Sequence, residues 1–276
     1  MEVKLSSESK LALMGGAYGN LPALEACIED ARNQGCSALA FLGDSIGFCG
    51  HSDETIDLIR DNFDLLVAGN HEHQAAIGAE TCGCGYSSPE DERLGCVAFE
   101  TALESLSEAN RAWLGTWPET VVVELGESRI LLCHGSPSQT NEFLYESELD
   151  KVRVTSWLDE NGVEGFVCTH TGISWVHHTK DNRFALNCSV VGKPESRGLP
   201  SVKYATLELK ERKIQIEFRL VAYDHTSWTA RLEEEGIEEV FIEPLRTGLW
   251  TCGVESLPEW ERERVEQMAN IKKILG

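Results

Sequence analysis

Three observations predict a layered α/β fold for this chain. Between residues 11 and 68 short apolar runs alternate with stretches of helical spacing, in the order β-α-β-α-β. Two of those runs, Phe41-Leu42-Gly43-Asp44 and Leu66-Val67-Ala68-Gly69-Asn70, end in glycine followed by an oxygen donor, as buried strands do where an open sheet builds a site. The composition, 42% hydrophobic and 25% charged over 276 residues, supports one large core or two small ones.

The elements follow in order. After a polar leader, Leu11 to Met14 reads as a strand that breaks at Gly15-Gly16. Asn20 and Pro22 open a helix whose apolar positions Leu21, Leu24, Ala26 to Ile28 and Ala31 keep helical spacing to Gly35. Leu39 to Leu42 is the second strand, Glu54 to Phe63 a helix and Leu65 to Ala68 the third strand. Asp44 and Asn70 stand 26 residues apart, room for one helix, and a right-handed crossover sets the two strand ends side by side. Thr81 to Ser88 is a Gly- and Cys-rich loop, with helices near 90–106 and 108–115. Gly126-Glu127 joins Val121–Leu125 and Arg129–Cys133 as a hairpin, and Glu146 to Asp159 is helical. Strands Gly165–Cys168, Trp175–His178 and Phe184–Ser189 precede a second hairpin, Tyr204–Leu209 with Lys213–Ala222, and a helix over Thr226–Glu235. Residues 253–276 are expected as an amphipathic helix appended to a domain of residues 1–252. Ser256 and Glu259 form its capping box, and Leu257, Trp260, Val265, Met268, Ile271 and Leu275 its apolar face, turned to the chain's own domain.

Charge excludes some partners. With 24 basic against 46 acidic residues, the net charge of −22 opposes non-specific binding to nucleic acid or to anionic membranes. An anionic substrate then needs a local cation. No run reaches membrane-spanning length, and Met1 to Lys10 lacks the apolar core of an export signal, so a cytoplasmic protein with mostly reduced cysteines is expected.

Four strand ends carry ligand-grade side chains: Asp44, Asn70, His134 and His170. A carboxylate, an amide oxygen and two imidazoles suit Mn, Fe or Zn. These ends also carry a family resemblance. Gly43-Asp44, Gly69-Asn70-His71-Glu72, Cys133-His134-Gly135-Ser136-Pro137 and Thr169-His170-Thr171 stand in the order of the second to fifth motifs of the calcineurin-like metallophosphoesterases. The chain resembles in particular their small bacterial phosphodiesterase-like branch. Softer likeness at Gly19 to Ala26, Asn187 to Pro194 and Val221 to Asp224 extends it over roughly residues 10–250.

The resemblance implies a four-layer αββα sandwich with metal at the sheet edge. It also implies that Asp44, Asn70, His134 and His170 hold one divalent ion, and that His71 assists the transition state or leaving group. The partner ion's own ligands, an Asp and a His of the first motif and the last His of the fifth, fall at Gly16, Tyr18 and Gly172. Glycine offers no donor, and tyrosine binds a metal only as phenolate. His51, His73, His177 and His178 are the nearest substitute imidazoles. Lys193 and Arg197 are candidate phosphate contacts in the loop Gly192 to Gly198.

Other signals are weaker. Cys82-Gly83-Cys84, with Cys49 and Cys96 as possible neighbours, fits a soft metal or a redox pair. Gly15 to Gly19 lacks the lysine of a phosphate loop, and Ser136 lacks the elbow of a nucleophile. Three functions are consistent with these residues. One is a mononuclear hydrolase of a small phosphomonoester or phosphodiester. Another is a catalytically inactive binding module or subunit of that fold with a protein partner. The third is a metalloenzyme of altered chemistry around Tyr18, Gly172 and Cys49.

Overall fold

Strand β2 (Lys10–Met14) shows how the layers arise, because its two faces enter different cores. Leu11 and Leu13 point between the sheets, while Ala12 and Met14 point to the covering helices. A strand buried on both faces has no polar alternation, which is why it reads as a continuous apolar run. The structure, a computed structural model, describes residues 1–275, with side chains to residue 270.

Helix α1 (Leu21–Asn33), strand β3 (Ala38–Phe41), helix α2 (Ser52–Asn62) and strand β4 (Leu65–Leu66) complete the opening unit, with β2 to β3 and β3 to β4 parallel. The third strand is shorter than the apolar run, because the Ala68 N–H turns away to the Pro118 carbonyl. Asn70 then starts helix α3 (Asn70–Ile77), a helix not expected from the sequence. Helices α4 (Pro89–Glu104) and α5 (Glu108–Leu114) follow, each capped by a serine hydroxyl, Ser88 and Ser107.

The polar leader is itself a strand, β1 (Glu2–Leu5), parallel to β5 (Val121–Leu125), which forms the expected hairpin with β6 (Ser128–Leu132). The expected helix over Glu146–Asp159 divides into a 3-10 turn at Glu146–Glu148 and helix α6 (Lys151–Asn161). The Asp150 carboxylate accepts from Val152 N–H and Arg153 N–H and so fixes the later start. Strands β7 (Gly165–Cys168), β8 (Trp175–His178) and β9 (Phe184–Asn187) finish a six-stranded sheet of order β1-β5-β6-β7-β9-β8. The long hairpin β10 (Val202–Lys210) and β11 (Lys213–Val221) extends the other sheet to β11-β10-β2-β3-β4.

The sheets pack face to face over Leu11, Leu13, Val121, Val123, Ile130 and Leu186. Helices α1 and α2 cover one outer face and α6 the other, giving the four-layer αββα arrangement. Helix α7 (His225–Glu234) lies near its expected place, and α8 (Glu239–Thr247) was not foreseen. Among the described residues no helix is long and apolar enough to cross a membrane.

Helix α9 (Glu259–Leu275) packs on its own chain. Its buried face differs from the expected one: Trp260 is 56% exposed, whereas Glu261 is buried and its carboxylate accepts the single hydrogen bond of the Ser147 hydroxyl, shared between its two oxygens. That anchor turns Glu261 and Val265 inward and leaves Trp260 outside. Ile271 and Leu275 of the expected face lie outside the described side chains. The Ser256 hydroxyl accepts from Ser88 N–H across the fold, and Asp91 accepts from Gly253 N–H at 2.7 Å and Ser256 N–H at 2.8 Å. Asp91→Ala leaves both N–H groups without that acceptor. It is expected to cost about 2 kcal/mol in urea unfolding, and to expose the chain after residue 250 to limited proteolysis.

Candidate metal centre

The site begins where β3 and β4 end. At Gly43 (φ +87°) a Cβ would stand 2.3 Å from the Gly69 nitrogen, so only glycine lets the two loops touch. Asp44 follows in the left-handed region (φ +59°), as do His170 (φ +64°) and Tyr18 (φ +51°), a concentration of strained backbone of the kind found at functional sites. Glu72, at the third position of α3, is fully buried and binds both loops. Its carboxylate accepts from Asp44 N–H (2.7 Å), Gly69 N–H (2.8 Å), Ser45 N–H (2.7 Å) and the Ser45 hydroxyl (2.6 Å).

Asp44, His134 and His170 converge here, their ligand atoms all within 4.8 Å of one another and buried. His134 Nδ1 donates to the Leu42 carbonyl at 2.5 Å and His170 Nε2 to the Cys84 carbonyl at 3.3 Å. These bonds leave His134 Nε2 and His170 Nδ1, 3.0 Å apart, turned to the Asp44 carboxylate. Burial opposes the charge on Asp44, but His134 and His71 beside it hold its carboxyl well below the usual range. Burial lowers the His170 pKa, while Asp44 outweighs burial and raises that of His134. Asn70 donates to the Cys82 carbonyl through Nδ2, which leaves its buried Oδ1 without a hydrogen-bond partner. A buried acceptor left unpaired is costly, and a cation beside it removes the cost. One carboxylate, two oriented imidazoles and one vacant amide oxygen fit a divalent ion.

Gly16, Tyr18 and Gly172, where the family resemblance expects the ligands of a further ion, leave little open space. At Gly16 (φ +57°) a Cβ would lie 2.4 Å from Val190 Cγ1 and 3.0 Å from Tyr18 Cζ. At Gly172 it would meet Trp250 at 3.3 Å and Val190 at 3.4 Å. Burial and the Asp44 charge push the Tyr18 phenol well above its ordinary pKa, so it stands as a neutral ring against Phe48 and His71. The candidate substitute histidines are elsewhere: His51 is 2.8 Å from Glu235, His73 is 3.9 Å from Glu119, and His177 and His178 lie on β8.

A cavity partly open to solvent borders Asp44, His71, His170, Tyr18 and Lys193. The Lys193 ammonium sits 4.2 Å over the Trp250 ring. Arg197 is not brought to this cavity, because Glu195 holds its guanidinium at 3.1 Å beside a separate, smaller one.

The sequence profile of the calcineurin-like phosphoesterases matches residues 14–208. The chain belongs to the calcineurin-like phosphoesterase family. The uncharacterised protein MJ0912 of Methanocaldococcus jannaschii is 25% identical over 220 residues, 76% of this chain and 86% of that protein. A metallophosphoesterase of Sphaerobacter thermophilus is similar in fold at TM-score 0.68 and 21% identity, covering 88% of this chain and all of that one. The hypothetical protein PH1004 of Pyrococcus horikoshii is likewise similar, at TM-score 0.70 and 17% identity, covering 89% and 100%.

Three features of this phosphoesterase were not foreseen. Glu72 stands in the motif Gly69-Asn70-His71-Glu72 with no expected task, although a glutamate at the third position of a helix reaching back to its start is a recognisable capping pattern. Phe143, its ring 4.2 Å from that of His170, carries no sequence signal. The closeness of Val190 to Gly16 and of Trp250 to Gly172 becomes visible only in three dimensions.

Two outcomes follow. Glu72→Gln loses acceptor capacity against four donors and is expected to cost about 2–3 kcal/mol of unfolding free energy, with weaker metal binding by calorimetry. Gly16→Asp is expected to lower stability by about 2–4 kcal/mol without raising the metal content, since its Cβ meets Val190 before any carboxylate is placed.

Proposed function

We propose that this phosphoesterase-family chain is a hydrolase of a small phosphomonoester or phosphodiester, working with one divalent ion (Mn, Fe or Zn) held by Asp44, Asn70, His134 and His170. The observation that carries the reading is the unpartnered Oδ1 of Asn70, together with the buried, pre-oriented Asp44, His134 and His170. Val190, Tyr18 and Trp250 on the other side support a count of one. When bound, the ion supplies Lewis acidity to a phosphoryl oxygen.

The chain's own groups divide the remaining work. Asp44 stays ionised and keeps the ligand set anionic. Lys193 brings a positive charge to the cavity of a protein whose net charge of −22 otherwise repels phosphate. His71 donates through Nδ1 to the Ile46 carbonyl at 2.7 Å, which fixes the ring and leaves Nε2 as the atom that exchanges a proton with the leaving group. Tyr18 and Trp250 offer flat apolar surface to the organic part of the ester.

Protein dialysed against Mn²⁺ is expected to retain about one equivalent, lost in Asp44→Ala and in His134→Ala, while two equivalents overturn the mononuclear reading. The same protein is expected to hydrolyse a chromogenic phosphodiester or phosphomonoester. His71→Ala should lower kcat about 10²–10⁴-fold, as for a lost proton donor, with manganese retained. Manganese binding without turnover supports instead the inactive binding module, the reading that Gly16 and Gly172 favour.

A further inference from the structure

We propose that Cys82, Cys84 and His71 form a second cation site, distinct from Asp44, His134 and His170, that takes a soft divalent ion of the zinc class on two thiolates and one imidazole. The two sulfurs and a ring nitrogen of His71 lie within 4.8 Å of one another, and all three residues are buried. His71 carries its proton on Nδ1 for the Ile46 carbonyl, so the lone pair on Nε2 faces Cys84 Sγ at 3.3 Å. Two donors at about 2.3 Å (sulfur) and about 2.0 Å (nitrogen) from one tetrahedral ion stand roughly 3.5 Å apart, close to that spacing. Thiolate charge has donors ready, since Cys84 N–H points to Cys82 Sγ at 3.2 Å and Asn70 Nδ2 to Cys84 Sγ at 3.4 Å. Cys84 and His71 border the large cavity, so a fourth position opens to water or an anion. The other eight cysteines are free, and the five that are fully buried in apolar surroundings have thiols pushed upward by burial, unsuited to metal.

The structure joins Cys82 to Cys84 as a disulfide, and the site forms from its reduced state. Two equivalents of a thiol reductant break the S–S bond. Each protein sulfur gains one electron and one proton, and the reductant leaves as its own disulfide. Uptake of the divalent ion then releases those two protons as both sulfurs become thiolates. A loaded site engages Nε2 of His71, the atom assigned above to proton exchange, so zinc suppresses hydrolysis in the reduced protein. That consequence rests on the hydrolytic reading; the binding itself does not.

The test uses Co²⁺ as the probe on the full chain reduced with a phosphine. One equivalent is expected to produce a thiolate-to-cobalt charge-transfer band in the near ultraviolet. The band should persist in Asp44→Asn, vanish in the Cys82→Ser/Cys84→Ser double variant, and need at least about tenfold more cobalt in His71→Ala. Absence of the band in the reduced parent, or its survival in the double variant, overturns the proposal. Should circular dichroism show the double variant unfolded, alkylation of the parent decides. Protection of Cys82 and Cys84 by zinc supports the site, and labelling unchanged by zinc overturns it. Asp44→Asn separates the two readings: lost manganese binding and turnover with the cobalt band intact leave this site standing on its own.

Discussion

One buried carboxylate holds the centre together. Glu72 takes four hydrogen bonds from the loops after β3 and β4, and through them ties the left-handed backbone at Asp44 to the start of α3. The arrangement is self-consistent only because a buried charge with all its acceptor positions used is tolerable, whereas the same charge unpaired is not. Glu72 also adds its field to the pocket and helps raise the His134 pKa. Two buried carboxylates, Asp44 and Glu72, thus make this sheet edge a place that draws positive charge.

The two sides of the pocket differ in kind. One presents Asp44, His134, His170 and the amide of Asn70, each imidazole fixed by a backbone carbonyl. The other presents Tyr18, Val190 and Trp250, an apolar and aromatic wall. A phosphate ester has the same division, an anionic group joined to an organic one. The wall covers Gly16 and Gly172, two of the positions at which the family resemblance expects further ligands.

Much of this was legible in the sequence because burial on both faces writes a continuous apolar run, and because Asp44, His134 and His170 directly follow such runs. The parallel pairing of β3 and β4 around α2 followed from spacing alone. What escaped depended on partners remote in sequence. Strand β1 is polar by composition and is ordered by pairing with β5, more than a hundred residues away. Trp260 looks like a core residue, yet Ser147 anchors Glu261 and so turns the helix the other way. Arg197 has the charge for phosphate, but Glu195, itself held by Lys203 and Ser174, claims it first. Lone charges and single aromatics give no hint of which neighbour will capture them.

The packing at Gly16 sets the order in which this pocket could change. A ligand side chain added there meets Val190 first, since a Cβ would lie 2.4 Å from its Cγ1, and the left-handed backbone (φ +57°) adds strain for any residue but glycine. Shrinking Val190 alone removes buried apolar volume and yields no ligand in exchange. Each of the two changes taken alone therefore costs stability, and a carboxylate at this position needs both together.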